Sequence, residues 1–342
     1  MTDRLRIWTM PTAGLTEADA TGWLPLLDDG ERNRAARFVF ERHRTTFIAA
    51  HALARCVLSR VDPSQPPEAW RFIPGEHGKP VAWAPVACVP VACDPGTSHA
   101  AASRAASSTV ASHPASATAG TGSALPSGTS TPGTSPSGTS PSATLSPGIS
   151  PSGTLPFGAG INYEPARLTF NLSHTDGLVG LATLSVPGRR LGFDVEPADR
   201  SVNLDVADRF FRSEETTWLR SLPEAGRPEG FLRLWTLKEA FIKATGEGLV
   251  RDLASFWFRV PEATISFIPA ADAATAGASP PEGSPEQAVD QPAEWQFEQR
   301  VVAGAFLAAV GLHRPAGSHQ PATWINVEPD MLRNHGAGLP AG

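Results

Sequence analysis

Cysteine is scarce: Cys56, Cys88 and Cys93 are the only three in 342 residues. Their spacing fits neither a zinc-ligand pattern nor a disulfide framework, which points to a reduced, cytoplasmic setting. Charge is thin as well, at 18% of residues, because one long segment carries almost none. The formal net charge of −6 argues against general nucleic-acid binding and leaves room only for a local basic pocket. No apolar run is long enough to span a membrane. The longest, Val301–Leu312, is interrupted by Gly304 and reads as a buried strand. The first eight residues, Met1 to Trp8, show no signal-peptide pattern. A Walker A loop is missing, since Gly75-Glu-His-Gly-Lys79-Pro80 lacks its spacing and its final hydroxyl residue. There is no dinucleotide glycine fingerprint either, so an obvious ATPase or kinase is excluded.

Proline and glycine are plentiful, 33 and 31 residues, and unevenly spread. Residues 85–160 are mostly Ser, Thr, Pro, Ala and Gly, with Asp94 and Arg104 the only Asp, Glu, Lys or Arg among them. Such a segment buries too little apolar surface to offset its ordering entropy, so a disordered linker is expected. A smaller low-complexity insert covers about 270–293. The expected organisation is an N-terminal lobe at 1–84, the insert at 85–160, a C-terminal lobe at 161–332 and a flexible tail at 333–342.

The first lobe reads as a strand at Leu5–Thr9, a short helix from Asp28, a helix from His43 to Val61 and a strand from Trp70. His51 falls among apolar neighbours and reads as a satisfied core histidine. In the second lobe, strands are expected at 168–172, 178–186 and 191–196, the last two as a hairpin. A helix is expected from Asp205 to Leu222, anchored by Phe210 and Phe211. Strands are expected again at 253–260 and 295–312. The fold class is α+β with mostly antiparallel sheets.

Arg233 to Gly246 organises the chemistry. Leu234, Leu237, Phe241 and Ala244 make an apolar helical stripe, and Gly246 and Gly248 supply the stop. Trp235, Glu239 and Lys243 form a second row at i, i+4, i+8. Alone, Glu239 and Lys243 fit a surface ion pair. Asp194-Val195-Glu196 changes that reading. The strand period of two puts both carboxylates on one face, where adjacent acids need something positive between them. Glu239 would complete an all-oxygen set suited to Mg²⁺. Arg44, Lys79, His174, Lys238 and Lys243, with the hydroxyls of Thr45 and Ser173, are available for a phosphate. The residues by themselves point to metal-assisted phosphoryl chemistry.

Four ordered motifs carry a family resemblance: Phe170-Asn-Leu-Ser173-His174-Thr; Leu191-Gly192-Phe-Asp194-Val-Glu196-Pro; Phe210-Phe-Arg-Ser-Glu-Glu215; and Leu234-Trp235-Thr-Leu-Lys238-Glu239-Ala-Phe-Ile-Lys243-Ala-Thr-Gly246. They resemble the Sfp-type 4′-phosphopantetheinyl transferases. Arg37-Phe38, His43-Arg44-Thr45 and Gly78-Lys79-Pro80 agree with that family's first half. The resemblance implies two lobes related by a pseudo-twofold axis in one monomer, with the active site between them. It implies transfer of phosphopantetheine from coenzyme A to a carrier-protein serine. Asp194, Glu196 and Glu239 would hold Mg²⁺ against the pyrophosphate. Ser173 and His174 would contact the nucleotide phosphate, with Arg44, Thr45 and Lys79 assisting. Lys243 would clamp the pyrophosphate. Glu239, directly or through a water held by the metal, would be the general base, with Glu215 the runner-up. A different Mg²⁺-dependent phosphodiesterase and a non-catalytic coenzyme A- or carrier-binding homologue remain the alternatives.

Deleting residues 90–155 is expected to leave thermal stability nearly unchanged; a large drop in melting temperature would contradict the linker reading.

Overall fold

The computed structural model describes residues 4–75, 79–86, 155–157, 161–268, 290–333 and 336–340. Most of the expected insert at 85–160, most of that at 270–293 and Gly78 lie outside them. In chain order the elements are β1 (Leu5–Pro11), α1 (Glu17–Trp23), α2 (Asp29–Ala35), α3 (Glu41–Val61), β2 (Arg71–Pro74), β3 (Pro80–Val86), β4 (Leu155–Phe157), β5 (Ile161–Pro165), β6 (Thr169–Thr175), β7 (Leu178–Leu184) and β8 (Leu191–Pro197). There follow α4 (Asp205–Phe210), α5 (Ser213–Ser221), α6 (Arg227–Thr245), β9 (Phe256–Arg259), β10 (Thr264–Phe267), β11 (Trp295–Val302), β12 (Phe306–His313), β13 (Thr323–Asn326) and α7 (Asp330–Arg333). The fold is α+β. Its sheets run β13-β1-β7-β6, β2-β3-β5-β4, β11-β12-β8 and β10-β9, and every pairing is antiparallel except β1 with β13. No helix among the described residues is long and apolar enough to cross a membrane.

The two ends of the expected linker are built into a sheet: β3 runs through Pro85 to Val86, and β4 pairs with β5. The N-terminal strand joins a sheet with later segments. β1 lies between β7 and β13, and Trp8 and Met10 share a core with Leu53 and Val57 of α3, Phe170, Val179, Leu181 and Ile325. Within it Arg55 is fully buried, 2.6 Å from Glu31, whose other oxygen is 2.7 Å from His51 Nδ1. Burial alone would raise Glu31; the His51 bond and charge, the Arg55 charge and the Asp28 N–H outweigh it and hold the carboxyl at about 2. His51 is thus a half-buried histidine at the edge of this core, with a partner.

The hairpin differs from expectation. β7 pairs with β6, not β8, and Asp176-Gly177 makes the turn with Gly177 at φ +93°. An Asp-Gly pair suits the left-handed geometry of a tight hairpin. β8 instead pairs with β12, Asp194 opposite Ala309, and packs across β6 and β7. Asn171 Oδ1 accepts the Phe193 N–H at 2.8 Å, and the Phe193 ring fills the space where Gly180 has no side chain. Asp205–Leu222 breaks into two helices at Phe211–Arg212, leaving Phe211 buried and Phe210 44% exposed. Phe210 is therefore no anchor.

α6 buries its whole apolar stripe, Leu234, Leu237, Phe241 and Ala244, against aromatic residues of β9 and β11. Gly246, at φ +80°, ends it in the left-handed region that favours glycine. Its other side rests on β8. A Cβ at Gly192 would lie 1.9 Å from the Ala240 carbonyl oxygen and 2.4 Å from the Ala244 nitrogen. Only a glycine lets helix and strand backbones approach this closely.

Gly192→Ala is expected to cost about 3 kcal/mol or more in guanidinium denaturation, because neither backbone can yield cheaply. Gly188→Ala, at φ +69° with nothing within 4 Å, should cost only about 1–2 kcal/mol of backbone strain. Equal losses would contradict the close-approach account.

Candidate functional site

The close approach sets α6 against the acidic face of β8. Asp194 is buried and Glu196 largely so. Glu239 and Lys243, one turn apart on α6, are half-buried beside them. Lys243 Nζ lies 2.6 Å from Asp194 Oδ1 and 2.9 Å from Ser173 Oγ, and Ser173 Oγ is 3.2 Å from the same Oδ1. Asp194 Oδ2 is buried with no hydrogen-bond partner among the described residues. Glu196 pairs with Arg200.

The electrostatics follow from crowding. Burial and then the Asp194 charge push the Glu239 carboxyl up to about 7; Lys243 offsets part of this and Glu196 adds to it. Burial and Asp194 also raise Glu196, against the pull of Arg200. For Lys243 desolvation opposes the charge, but Asp194, Glu239 and Glu196 together hold the ammonium above its ordinary range. His174, at the end of β6, keeps an exposed edge, yet desolvation and the charges of Lys243, His51 and Arg34 hold its imidazole below the usual range. Lys79 reaches from the turn before β3 to the carbonyls of Leu191 (2.9 Å) and Ala244 (3.4 Å), a cation at the C-terminal end of α6. Its burial lowers it to about 8.

The structure brings Asp194, Glu196, Glu239, Lys243, Ser173 and His174 into one neighbourhood. The three carboxylates interact electrostatically, although among the described residues no three His, Cys, Asp or Glu form a ready-made metal cage. Three expectations need correction. Lys238 is fully buried on another side of α6, bonded to Glu215 (2.8 Å) and to the carbonyls of Leu253 and Phe256. Glu215, the runner-up base, is equally buried and also accepts the Phe258 and Arg212 N–H groups, so it holds α5, α6 and β9 together rather than facing a substrate. Trp235 stacks on Phe231 and Phe211, which leaves Glu239 and Lys243 as the members of its row at the acidic face. Arg44 pairs with Glu17 at 2.8 Å and Thr45 is buried in α3; no hydrogen bond or ion pair among those described joins either to the carboxylates.

Gly192, Asn171 and Arg200 also shape the site. A glycine inside a strand pattern signals close backbone approach, so Gly192 was legible. Asn171 and Arg200 carry no such signal.

Residues 190–299 match the model of the 4′-phosphopantetheinyl transferase superfamily. The chain is similar to three curated proteins: 4′-phosphopantetheinyl transferase gsp of Aneurinibacillus migulanus (36% identical over 88 residues, 26% of this chain and 35% of that protein), 4′-phosphopantetheinyl transferase HetI of Nostoc sp. strain PCC 7120 (39% over 93 residues, 27% and 38%), and 4′-phosphopantetheinyl transferase Sfp of Bacillus subtilis strain 168 (36% over 91 residues, 27% and 39%). The matches cover well under half the length of each relative.

Glu239 generates a stability prediction. Its carboxyl is raised from 4.5 to about 7. The folded state therefore holds a proton that the unfolded state releases, and this contribution is full below about 4.5 and lost as pH rises through about 7. Without divalent cations, Glu239→Gln should gain stability over the wild type as pH rises from 4.5 to 7 and then level off. A pH-independent difference in melting temperature would contradict the assignment.

Proposed function

We propose that this chain, homologous over residues 190–299 to the 4′-phosphopantetheinyl transferases, is itself an Sfp-type transferase. In this reading it moves 4′-phosphopantetheine from coenzyme A to a serine hydroxyl of an apo acyl or peptidyl carrier protein and releases adenosine 3′,5′-bisphosphate. The observation that carries it is the buried Oδ2 of Asp194, without a hydrogen-bond partner among the described residues, beside Glu239 and Glu196. An uncompensated carboxylate oxygen among further carboxylates fits a hard divalent cation. Asp194, Glu196 and Glu239 would hold Mg²⁺, which when bound neutralises phosphoryl charge.

The remaining steps belong to the chain's own groups. Lys243, with one N–H free of Asp194 and Ser173, donates to the pyrophosphate and stabilises the leaving bisphosphate. In this reading Lys79 and His174 meet the nucleotide phosphates, His174 as a neutral N–H donor and Lys79 on leaving the carbonyls of Leu191 and Ala244. Arg44 and Thr45 would assist only after Arg44 leaves Glu17. Glu239 takes the proton of the carrier serine, directly or through a water, as the serine oxygen bonds to phosphorus and the bond to the bisphosphate oxygen breaks. The reading includes two pseudo-twofold lobes in one monomer, with Lys79 crossing from the first to the second.

Incubation with coenzyme A, Mg²⁺ and a panel of apo carrier domains should add one phosphopantetheine arm to at least one carrier, read by intact mass. Chelation should abolish the gain, and Asp194→Ala should slow it by about 10²–10³-fold. Unmodified carriers throughout the panel, or nucleotide released from coenzyme A without any acceptor, would overturn the reading.

A further inference from the structure

A cleft of about 450 Å³ opens between the β7–β8 turn and the connection from β12 to β13. Leu184, Arg189, Leu312, Arg314 and Gln320 help to line it, and no carboxylate is among its lining residues. The nearby acids are engaged elsewhere: Asp290 pairs with Arg190 at 2.6 Å, and Glu294 lies 3.5 Å from His313 Nε2. Arg189 and Arg314 form no ion pair among the described residues. Arg314 makes one side-chain hydrogen bond, from Nη1 to the carbonyl of Pro315 at 3.2 Å. Arg314 Nε and Gln320 Nε2 are buried with no acceptor among the described residues. A buried donor left without an acceptor is costly. The walls are held firmly. Thr169 Oγ1 donates to the Val186 carbonyl at 2.8 Å and accepts the Arg189 N–H at 3.3 Å, which fixes the turn. Across the cleft, Gln296 accepts the Gln320 N–H at 2.9 Å and donates to its carbonyl at 2.7 Å. Ser318 closes the loop on the Pro315 carbonyl through both its hydroxyl and its N–H.

Two guanidiniums without acids and two donors without acceptors, on walls fixed by their own hydrogen bonds, suit an anion. The donors come from separate segments on opposite sides. That arrangement fits the several oxygens of a phosphate better than the two coplanar oxygens of a carboxylate. We propose that this cleft is a second ligand site, one that takes the phosphate group of a small molecule. Its volume lies within the range of small-ligand pockets, about 300–1,000 Å³. That leaves room beyond the phosphate, where Leu184 and Leu312 supply an apolar wall. The site is separate from the acidic cluster. Leu184 pairs with Thr169, and Leu312 pairs with Leu191. Those partners precede Ser173 and Asp194 on their strands by on the order of 10 Å at the strand rise. The inference therefore stands apart from the transferase reading.

Calorimetry on the full chain, in chelator and without coenzyme A, tests this with three probes: inorganic phosphate, glycerol 3-phosphate and acetate. Both phosphates should bind, and acetate far more weakly. Tighter binding of glycerol 3-phosphate would assign the site to an organic phosphate, and equal binding of the two would assign it to free phosphate; either upholds the proposal. Arg189→Gln and Arg314→Gln should each weaken phosphate binding about 10–100-fold, the worth of a hydrogen bond to a charged group. Should Arg314→Gln fail to fold, Arg189→Gln, on the turn, carries the comparison alone. Lys243→Gln should leave phosphate binding unchanged, because Lys243 belongs to the acidic cluster. No binding of either phosphate, acetate bound as tightly as phosphate, or binding lost in Lys243→Gln but kept in Arg189→Gln would overturn the proposal.

Discussion

Everything at the site depends on two backbones touching. Gly192 lets β8 rest directly on α6, within reach of the Ala240 carbonyl and the Ala244 amide. Two residues further along the strand is Asp194; on the adjoining turns of the helix are Glu239 and Lys243. A side chain at 192 would separate the elements and with them the carboxylates. Helix and strand are held in that position from both ends. Asn171 fixes β8 through the Phe193 N–H, and Lys79 ties the last turn of α6 to the start of β8 through two carbonyls. The aromatic packing of Phe241 with Phe256 and Trp295 fixes the helix from its other side.

Buried charge is used in two distinct ways. The acids Glu215 and Glu31 are satisfied: each pairs with a buried cation, Lys238 or Arg55, and accepts backbone N–H donation as well. Breaking a buried pair of this kind is costly because the surviving charge is stranded. The cluster at Asp194 is open. One oxygen accepts two hydrogen bonds and the other has no partner among the described residues, while burial and the Asp194 charge push the neighbouring Glu239 carboxyl up to about 7. An incomplete cluster costs stability, and its retention makes sense only if something else completes it. That asymmetry between satisfied and unsatisfied acids is the physical basis for placing function at Asp194 and not at Glu215.

Local patterning made much of this readable in the sequence. The Leu234, Leu237, Phe241 and Ala244 stripe predicts the buried face of α6, Gly246 predicts its end, and the period of two in Asp194-Val195-Glu196 places the acids together. Partnership between distant segments was not readable. Lys238 and Glu239 are adjacent and equally polar, yet one enters the core because Glu215 and two carbonyls receive it there. β8 was expected beside β7, because short connections favour hairpins. The Asp176-Gly177 turn had already paired β7 with β6, and β8 crosses to β12 instead. Arg44 was drawn into the expected site by its motif, whereas an exposed partner, Glu17, holds it in the structure.

The most direct measurement is a crystal structure of the protein with Mn²⁺ and coenzyme A, using the anomalous signal of the metal. The account predicts a peak within direct coordination distance of Asp194 Oδ2 and within reach of Glu196 and Glu239, with the pyrophosphate against Lys243. A metal peak away from these carboxylates, or pyrophosphate bound with Asp194 Oδ2 still unpartnered, would contradict it.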